Sequence, residues 1–378
     1  MKHAISRSGI PALLATSFSV AAWLQPACAA DAASDQQLAA STTAQVETIT
    51  VTARRKSENE QNVPISESVV TGSLLSDNGI TSVLKLSELV PSLQVLSFNA
   101  RNTNLSIRGL GSNIGLANDG IESGVGVYVD GVFLPRPAEA TFDLPDVATI
   151  EVLRGPQGTL YGKNTTSGAI AVTTELPTSD WEGHASASVG DHGYDDFTGS
   201  LAGPLTEDGT LLGRVSAFDS DHSGFIRNVT TNRDTNDYHD YGFRGQALYQ
   251  PTPEFSLRVI ADYNKQHEEC CITVLEGVVT TLADGQTLPR NFFQRAAQAG
   301  YTPLPIAPFA RKTDADSDYH EIMEQGGLSA QADWRFGGGY DLTSITAYRF
   351  WNWNPANDAD VTALPVLTIA RQADQEKD

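Results

Sequence analysis

Apolar and polar residues alternate in segments through the second half of this chain, and a period of two marks such segments as strands. Tyr241, Phe243, Ala247 and Tyr249 oppose Arg244 and Gln246, while Leu257, Val259, Ala261 and Tyr263 oppose Arg258 and Asp262. Together with the Asp, Asn, Gly and Pro turns between them, such segments predict strands at Glu182–Gly190, Phe197–Ala202, Leu211–Ser220, Asp240–Gln250, Phe255–Lys265, Gly327–Phe336 and Tyr340–Trp351. One apolar and one polar face suit a membrane barrel with its apolar side outward, and a soluble sandwich writes the same period. Aromatic residues near the segment ends, among them Trp181, Tyr249, Tyr263, Trp334, Tyr340 and Trp351, favour the membrane. Pro251-Thr252-Pro253-Glu254 and Gly337-Gly338-Gly339 read as short turns, and Gln266–Gln325 as a long loop at the opposite end.

The first residues predict export. Lys2 and Arg7 supply a positive start, Ile10 to Leu24 an apolar stretch, and Ala27-Cys28-Ala29 a small-residue cleavage site, giving a signal peptide over 1–29. That stretch is short and broken by Pro11, and no run of about twenty apolar residues follows it, so helical spanning is excluded while strand spanning is not. The net charge of -21 falls to about -23 once Lys2 and Arg7 leave with the signal. Such acidity disfavours a nucleic-acid partner. The cysteines then left are Cys270 and Cys271. An oxidising compartment permits a disulfide, but adjacent cysteines form only a strained ring with each other.

Residues 31–45 are rich in Ala, Ser, Thr and Gln and bury little, which predicts a flexible leader within 30–62. It contains an alternating β-branched stretch, Glu47, Thr48, Ile49, Thr50, Val51, Thr52 and Ala53, followed by Arg54-Arg55-Lys56. A strand placed between a flexible leader and a folded domain suits addition to a partner's sheet edge, where backbone hydrogen bonds supply the affinity. From about Val63 the pattern is that of a small mixed α/β domain. Val83, Leu86, Leu89 and Val90 share a helical face that Pro91 ends, and Leu93–Ser97, Leu105–Arg108, Val125–Val129 and Thr149–Leu153 read as short strands. Val127 to Asp130 runs into Gly131 as a strand meeting an Asp-Gly turn, and Arg154 ends a strand before the glycine-flanked turn Gly155-Pro156-Gln157-Gly158.

These glycines do not make a nucleotide loop, because Lys163 precedes Asn164 where that motif requires Ser or Thr. No nucleophile elbow or clustered ligand motif is present either, which argues against an enzyme. His267, Glu268, Glu269, Asp314, Asp316, Asp318, His320 and Glu321 are scattered through the long loop, and solvated loop polarity describes them better than a metal site.

Taken in order, Ile107-Arg108-Gly109, Tyr128-Val129-Asp130-Gly131 and the run DLPDVATIEVLRGPQGTLYGKNTTSGAIAVTT from Asp143 to Thr174 resemble the plug domain of TonB-dependent outer-membrane receptors. The resemblance covers nearly the whole chain from Glu47 onward. It implies a plug over 63–174 and the N-terminal part of an antiparallel transmembrane β-barrel over 175–378, in the outer membrane of a Gram-negative bacterium. Glu47 to Ala53 would be the TonB box, gripped by the energising TonB protein. Arg108 and Arg154 would pair with carboxylates on the inner barrel wall, and Gly109, Asp130, Gly131, Gly155 and Gly158 would shape the plug turns. Glu268-Glu269-Cys270-Cys271 would be a staple in an outer loop. Ala171 departs from the family, which frequently has Asn there.

The implied function is energy-dependent uptake of a scarce nutrient, by default a ferric siderophore. The partners are TonB, a small ligand such as a ferric chelate, and outer-membrane lipid, with no catalytic residue, cofactor or bound metal. The leader is too short for an additional folded signalling domain. Family barrels have about 22 strands, against about seven predicted here. Because an open edge leaves backbone groups unpaired in lipid, the chain reads as a truncated receptor. Two other readings remain. A plug-like binding module without transport would be soluble without detergent, and a passive channel would have no need of Glu47 to Ala53.

Overall fold

Burial takes two forms along this chain: a small sheet covered on both faces, then a long-stranded sheet with one apolar face left outward. The computed structural model describes residues 50–51, 58–59, 65–97, 103–111, 122–141, 143–269, 272–317, 319–358, 360–366, 368–370 and 374–377. Strands β1 (Thr50–Val51) and β2 (Glu58–Asn59) pair antiparallel with each other. After them come β3 (Glu67–Thr71), helix α1 (Gly72–Asp77) and a 3-10 turn over Val83–Glu88. Next are β4 (Leu93–Ser97), β5 (Thr103–Ile107) and β6 (Leu110–Gly111), which form a three-stranded antiparallel sheet.

The main plug sheet has the order β3-β9-β10-β7-β8, with β7 at Val125–Val129, β8 at Val132–Leu134, β9 at Val147–Arg154 and β10 at Gly168–Thr174. The short helix α2 (Gly158–Tyr161) links the last two strands. Only β10 and β7 run parallel; the other neighbours are antiparallel. Both faces are covered, which explains the near-continuous apolar runs in β7 and β10. Val127, Ile150, Val152, Ile170 and Val172 join Leu86, Leu93 and Leu105 in the larger core, while Tyr128, Leu153 and Ala169 pack on the other side. Gly168 holds a tight approach: a β-carbon there would meet the Leu153 carbonyl oxygen at 2.2 Å, so the β9–β10 ladder would have to open.

The second sheet is an antiparallel meander in which each long strand pairs with its predecessor. Its long members are β11 (Glu182–Val189), β12 (Asp195–Pro204), β13 (Leu211–His222), β16 (Tyr238–Thr252), β17 (Phe255–Glu268), β19 (His320–Phe336) and β20 (Tyr340–Asp358). Between β13 and β16 lie β14 (Ile226–Asn228) and β15 (Arg233–Thr235). Helix α3 (Phe292–Gln298) and β18 (Lys312–Thr313) occupy the connection before β19. The short strands β21 (Thr368–Ala370) and β22 (Asp374–Lys377) both pair with β20. The sheet is open at β11. Among the described residues no helix is long and apolar enough to cross a membrane, which leaves strand crossing untouched.

Polarity is sorted across this sheet as the alternation predicts. Arg214, Asp240, Arg244, Gln246, Arg258, Asn264 and Gln266 are buried on the face toward the plug, while Val215, Phe243, Leu328 and Tyr348 are exposed on the other. The strands run longer than the pattern suggests, and β19 starts at His320 rather than Gly327. The ladder continues where both faces turn polar, as at His239, Asp240, Gln266 and His267, so hydrophobicity fades before the hydrogen bonds do. The long loop is correspondingly shorter, and the small elements β3, α1 and α3 go unsignalled because each is too short to show a period.

Ile170 sits at the middle of the plug sheet, fully buried, whereas Phe309 in the long loop is 99% exposed. Ile170→Ala is expected to destabilise the plug by about 2–5 kcal/mol, lowering the urea midpoint of plug unfolding in detergent. Phe309→Ala should leave that midpoint unchanged.

Candidate functional site

Asp130 stands at the tip of the β7–β8 turn, with φ of 47° followed by 78° at Gly131. Two successive left-handed residues make the tight Asp-Gly turn that glycine favours at its second position. The turn is held on β10: Asp130 N donates to the Val172 carbonyl at 2.9 Å, and Thr174 donates N–H at 3.1 Å and its hydroxyl at 3.0 Å to the Asp130 carboxylate. This leaves the carboxylate aimed at the wall sheet. There Arg244 of β16 contacts Oδ2, and Arg258 of β17 donates from Nη1 to Oδ1 at 3.2 Å. The Asp130 side chain is 2% exposed, against 9% for Arg244 and 10% for Arg258.

The clamp continues on both sides. Arg258 also donates to the Thr174 hydroxyl at 2.9 Å and to Gln246 Oε1 at 3.0 Å, and Gln246 in turn donates to the Glu175 carbonyl at 3.1 Å. Along the wall, Arg349 of β20 donates to both oxygens of Asp262 at 2.7 Å, and Asp262 lies 3.9 Å from Arg244. A cavity of about 40 Å³, lined partly by Arg244, Asp262, Asn264, Gln325 and Arg349, sits beside this network.

A second clamp repeats the arrangement. Asp146, in the turn before β9, has φ of 64° and is gripped by Arg214 of β13 through Nε and through Nη2, the latter at 2.6 Å. Nη1 of the same arginine reaches Glu182 at 2.8 Å. Between the clamps, Asp143 N donates to Asp240 Oδ2 at 3.3 Å, and Asn264 donates to the Asp143 carbonyl at 3.1 Å. Burial pushes the Asp143 carboxyl above the usual range, while the hydroxyl of Thr81, donating at 2.7 Å, opposes that rise.

The residues singled out in the sequence fall in different places. Asp130 and Gly131 lie at the wall contact. Arg108 and Arg154 do not meet a wall carboxylate among the described residues: Arg154 donates to Ser66, Ser68 and the Glu67 carbonyl, and Arg108 to Ser66. They fasten strand ends to the plug's own β3. The contact present runs in the opposite sense, with arginines on the wall and carboxylates on the plug. Gly109 and Gly155 have φ of 74° and 91° in the turns after those arginines, and Gly158 opens α2. Of the Glu47 to Ala53 segment, Thr50 and Val51 form β1; Glu47, Thr48, Ile49, Thr52 and Ala53 lie outside the described residues, as do Cys270 and Cys271. No group of His, Cys, Asp and Glu among the described residues is placed to hold a metal.

A mixed sheet fastened by ion pairs to the polar face of an open antiparallel wall is the arrangement of a plug beside part of a barrel. Residues 59–169 match the family described as TonB-dependent Receptor Plug Domain. The pesticin receptor of Yersinia pestis is 36% identical over 190 residues, which span 50% of this chain and 27% of that protein. The ferripyoverdine receptor of Pseudomonas aeruginosa is 29% identical over 217 residues, 56% of this chain and 24% of that one. The chain thus spans about a quarter of the length of these relatives. Among solved structures, the ferric yersiniabactin uptake receptor of Yersinia pestis superposes with a TM-score of 0.63 at 22% identity, covering 77% of this chain and 42% of that one. The ferripyoverdine-bound receptor of Pseudomonas aeruginosa gives 0.63 at 17% identity, covering 84% and 38%. Residues 59–169 are thus a TonB-dependent receptor plug domain, and the wall strands that follow share the fold of these solved outer-membrane receptors.

Asp130→Asn keeps the turn and removes the charge. It leaves Arg244 and Arg258 without their shared anion, and breaking a buried pair of this kind costs about 3–5 kcal/mol. Trypsin should then cut the plug of the detergent-folded chain faster than in the parent. Combining Asp130→Asn with Arg258→Gln should cost less than the two changes summed, as expected for groups in one network.

Proposed function

We propose that the chain is the plug-bearing part of a receptor for energy-dependent, TonB-coupled uptake of a ferric siderophore across the outer membrane. The observation that carries this reading is the kind of contact between plug and wall. The plug keeps its own apolar core, and what joins it to the wall is a set of ion pairs and hydrogen bonds around Asp130, Asp146 and Asp143. Polar contacts of this kind can exchange partners with water, whereas a shared apolar core would have to be torn open. A plug attached in this way can be displaced without unfolding.

The relatives point to iron. The curated ones include a ferripyoverdine receptor and an iron-regulated outer membrane virulence protein, and the solved ones a ferric yersiniabactin receptor. Ligand would bind at the outer loops and plug apex, and the resulting difference in affinity between resting and loaded states would be signalled to Glu47–Ala53. TonB would pair with that segment by strand addition. In this reading 63–174 acts as the plug and 175–378 as the start of the barrel, with 1–29 removed on export. Cys270 and Cys271 would staple the outer loop.

Deleting Glu47–Ala53 in the native gene should abolish uptake of radiolabelled ferric chelate by whole cells while surface binding persists. Uptake that survives the deletion would overturn the energised mechanism and favour a passive channel.

A further inference from the structure

The connections at the end of the sheet opposite the short turns fold against one another. β14 and β15 form a hairpin, and β18 adds to β14 in parallel. Ile226, Ile272, Ala315 and Tyr319 make a small core beneath them. Helix α3 is capped by Asn291, whose side chain accepts from Gln294 N at 3.1 Å. Beside them, residues of the long loop, α3, β18 and the turn at Asp360 line an open cavity of about 570 Å³. That volume falls within the range of small-molecule sites, which runs from about 300 to 1,000 Å³.

The lining is divided by chemistry. Val274, Leu275, Phe292 and Leu304 supply apolar surface, stiffened by Pro303 and Pro305. The charged groups are Glu276, Asp314 and Asp360 against the single ammonium of Lys312. Two of the carboxylates are held in place. Asp314 is 8% exposed and accepts the Tyr301 hydroxyl at 2.6 Å. The Asp360 carboxylate accepts the Thr362 N–H at 3.1 Å and the Thr362 hydroxyl, in a turn where Asp358 accepts the N–H of Asp360 at 2.9 Å and that of Val361 at 3.0 Å. Burial, then the bond to Asp314, raise the Tyr301 phenol above its ordinary value, so it stays a neutral donor at physiological pH. Val361, which also lines the cavity, has φ of 56°. A β-branched residue adopts that conformation only when its surroundings enforce it.

We propose that this loop cavity is a binding site for an organic cation with an apolar or aromatic body. The apolar side takes the body, and the fixed carboxylates face the charge. An anion of the same shape would meet a net negative lining in a partly desolvated space, where like charges repel more strongly than in bulk water. The site goes beyond the uptake reading and does not require it, because binding here belongs to the loops and needs neither TonB nor movement of the plug.

The test uses three fluorescent probes with one aromatic body: dansylcadaverine (cationic), dansylamide (neutral) and dansylglycine (anionic). Each is titrated against the full chain folded in detergent, with probe in empty micelles as the blank. Saturable binding is expected, with dansylcadaverine at least roughly tenfold tighter than dansylglycine, equivalent to about 1.4 kcal/mol. Asp360→Asn should narrow that ratio. Leu304→Trp should fill the cavity and remove saturable binding of all three probes, with Leu275→Trp as a second filling variant should the first fail to fold by circular dichroism. Equal or tighter binding of dansylglycine, binding that never saturates, or full binding to a folded filling variant would overturn the proposal. None of these outcomes bears on uptake, which is read separately by deleting Glu47–Ala53.

Discussion

The carboxylate of Asp130, shared between Arg244 and Arg258, is the contact on which the relation of plug to wall depends. It draws on three parts of the chain at once: the Asp-Gly turn after β7, the hydroxyl of Thr174 at the end of β10, and the inward faces of β16 and β17. Taking these charges out of water is costly, and their mutual attraction offsets the cost only when the geometry also satisfies their hydrogen bonds. Here it does so for most of them, through Thr174, Gln246 and the neighbouring Asp262–Arg349 pair. The clamp therefore specifies position more than it adds stability. A plug rotated by a few ångströms would leave two guanidinium groups buried against nothing.

This division of labour separates two energies. Within the plug, apolar burial dominates: Leu86, Val152, Ile170 and Ala169 are each fully enclosed, and the strand-end arginines Arg108 and Arg154 are spent on the plug's own β3. Between plug and wall, apolar contact is slight. The main exception is Ala138 against Met323, Trp351 and Trp353. A force applied to the plug meets ion pairs before it meets a hydrophobic core, and ion pairs exposed to entering water lose most of their strength. The domain can then stay folded while its attachment yields.

How much of this was legible in the sequence follows from the length of each signal. The long strands could be read because alternation repeats many times in each, and Arg244 and Arg258 could be placed on the polar face by parity alone. Their partners could not. An arginine on the inside of a wall demands an anion, but Asp130 lies more than a hundred residues from Arg244 and Arg258, and Asp146 lies 68 residues from its partner Arg214, and a single sequence carries no measure of that proximity. The expectation put the guanidinium on the plug and the carboxylate on the wall. The described contact reverses the signs, because Arg108 and Arg154 emerge where β3 offers Ser66, Ser68 and a carbonyl at closer range. The loop elements β14, β15, β18 and α3 escaped notice for a different reason: each is held by its neighbours and by caps such as Asn291, not by a periodic pattern.

The two ends of the wall sheet are thus built on different rules. At the end with tight turns, such as the glycine run 337–339, little chain is available beyond the strands. At the other end, the residues between β17 and β19 have enough length to bury Ile272, Ala315 and Tyr319 on their own account. Once a loop holds a core, its backbone is fixed well enough to carry ordered side chains, and Tyr301–Asp314 is such an ordered pair. The clamp at Asp130 holds the plug, and the loop core holds the cavity; the two share no residue, so either can be altered while the other keeps its geometry.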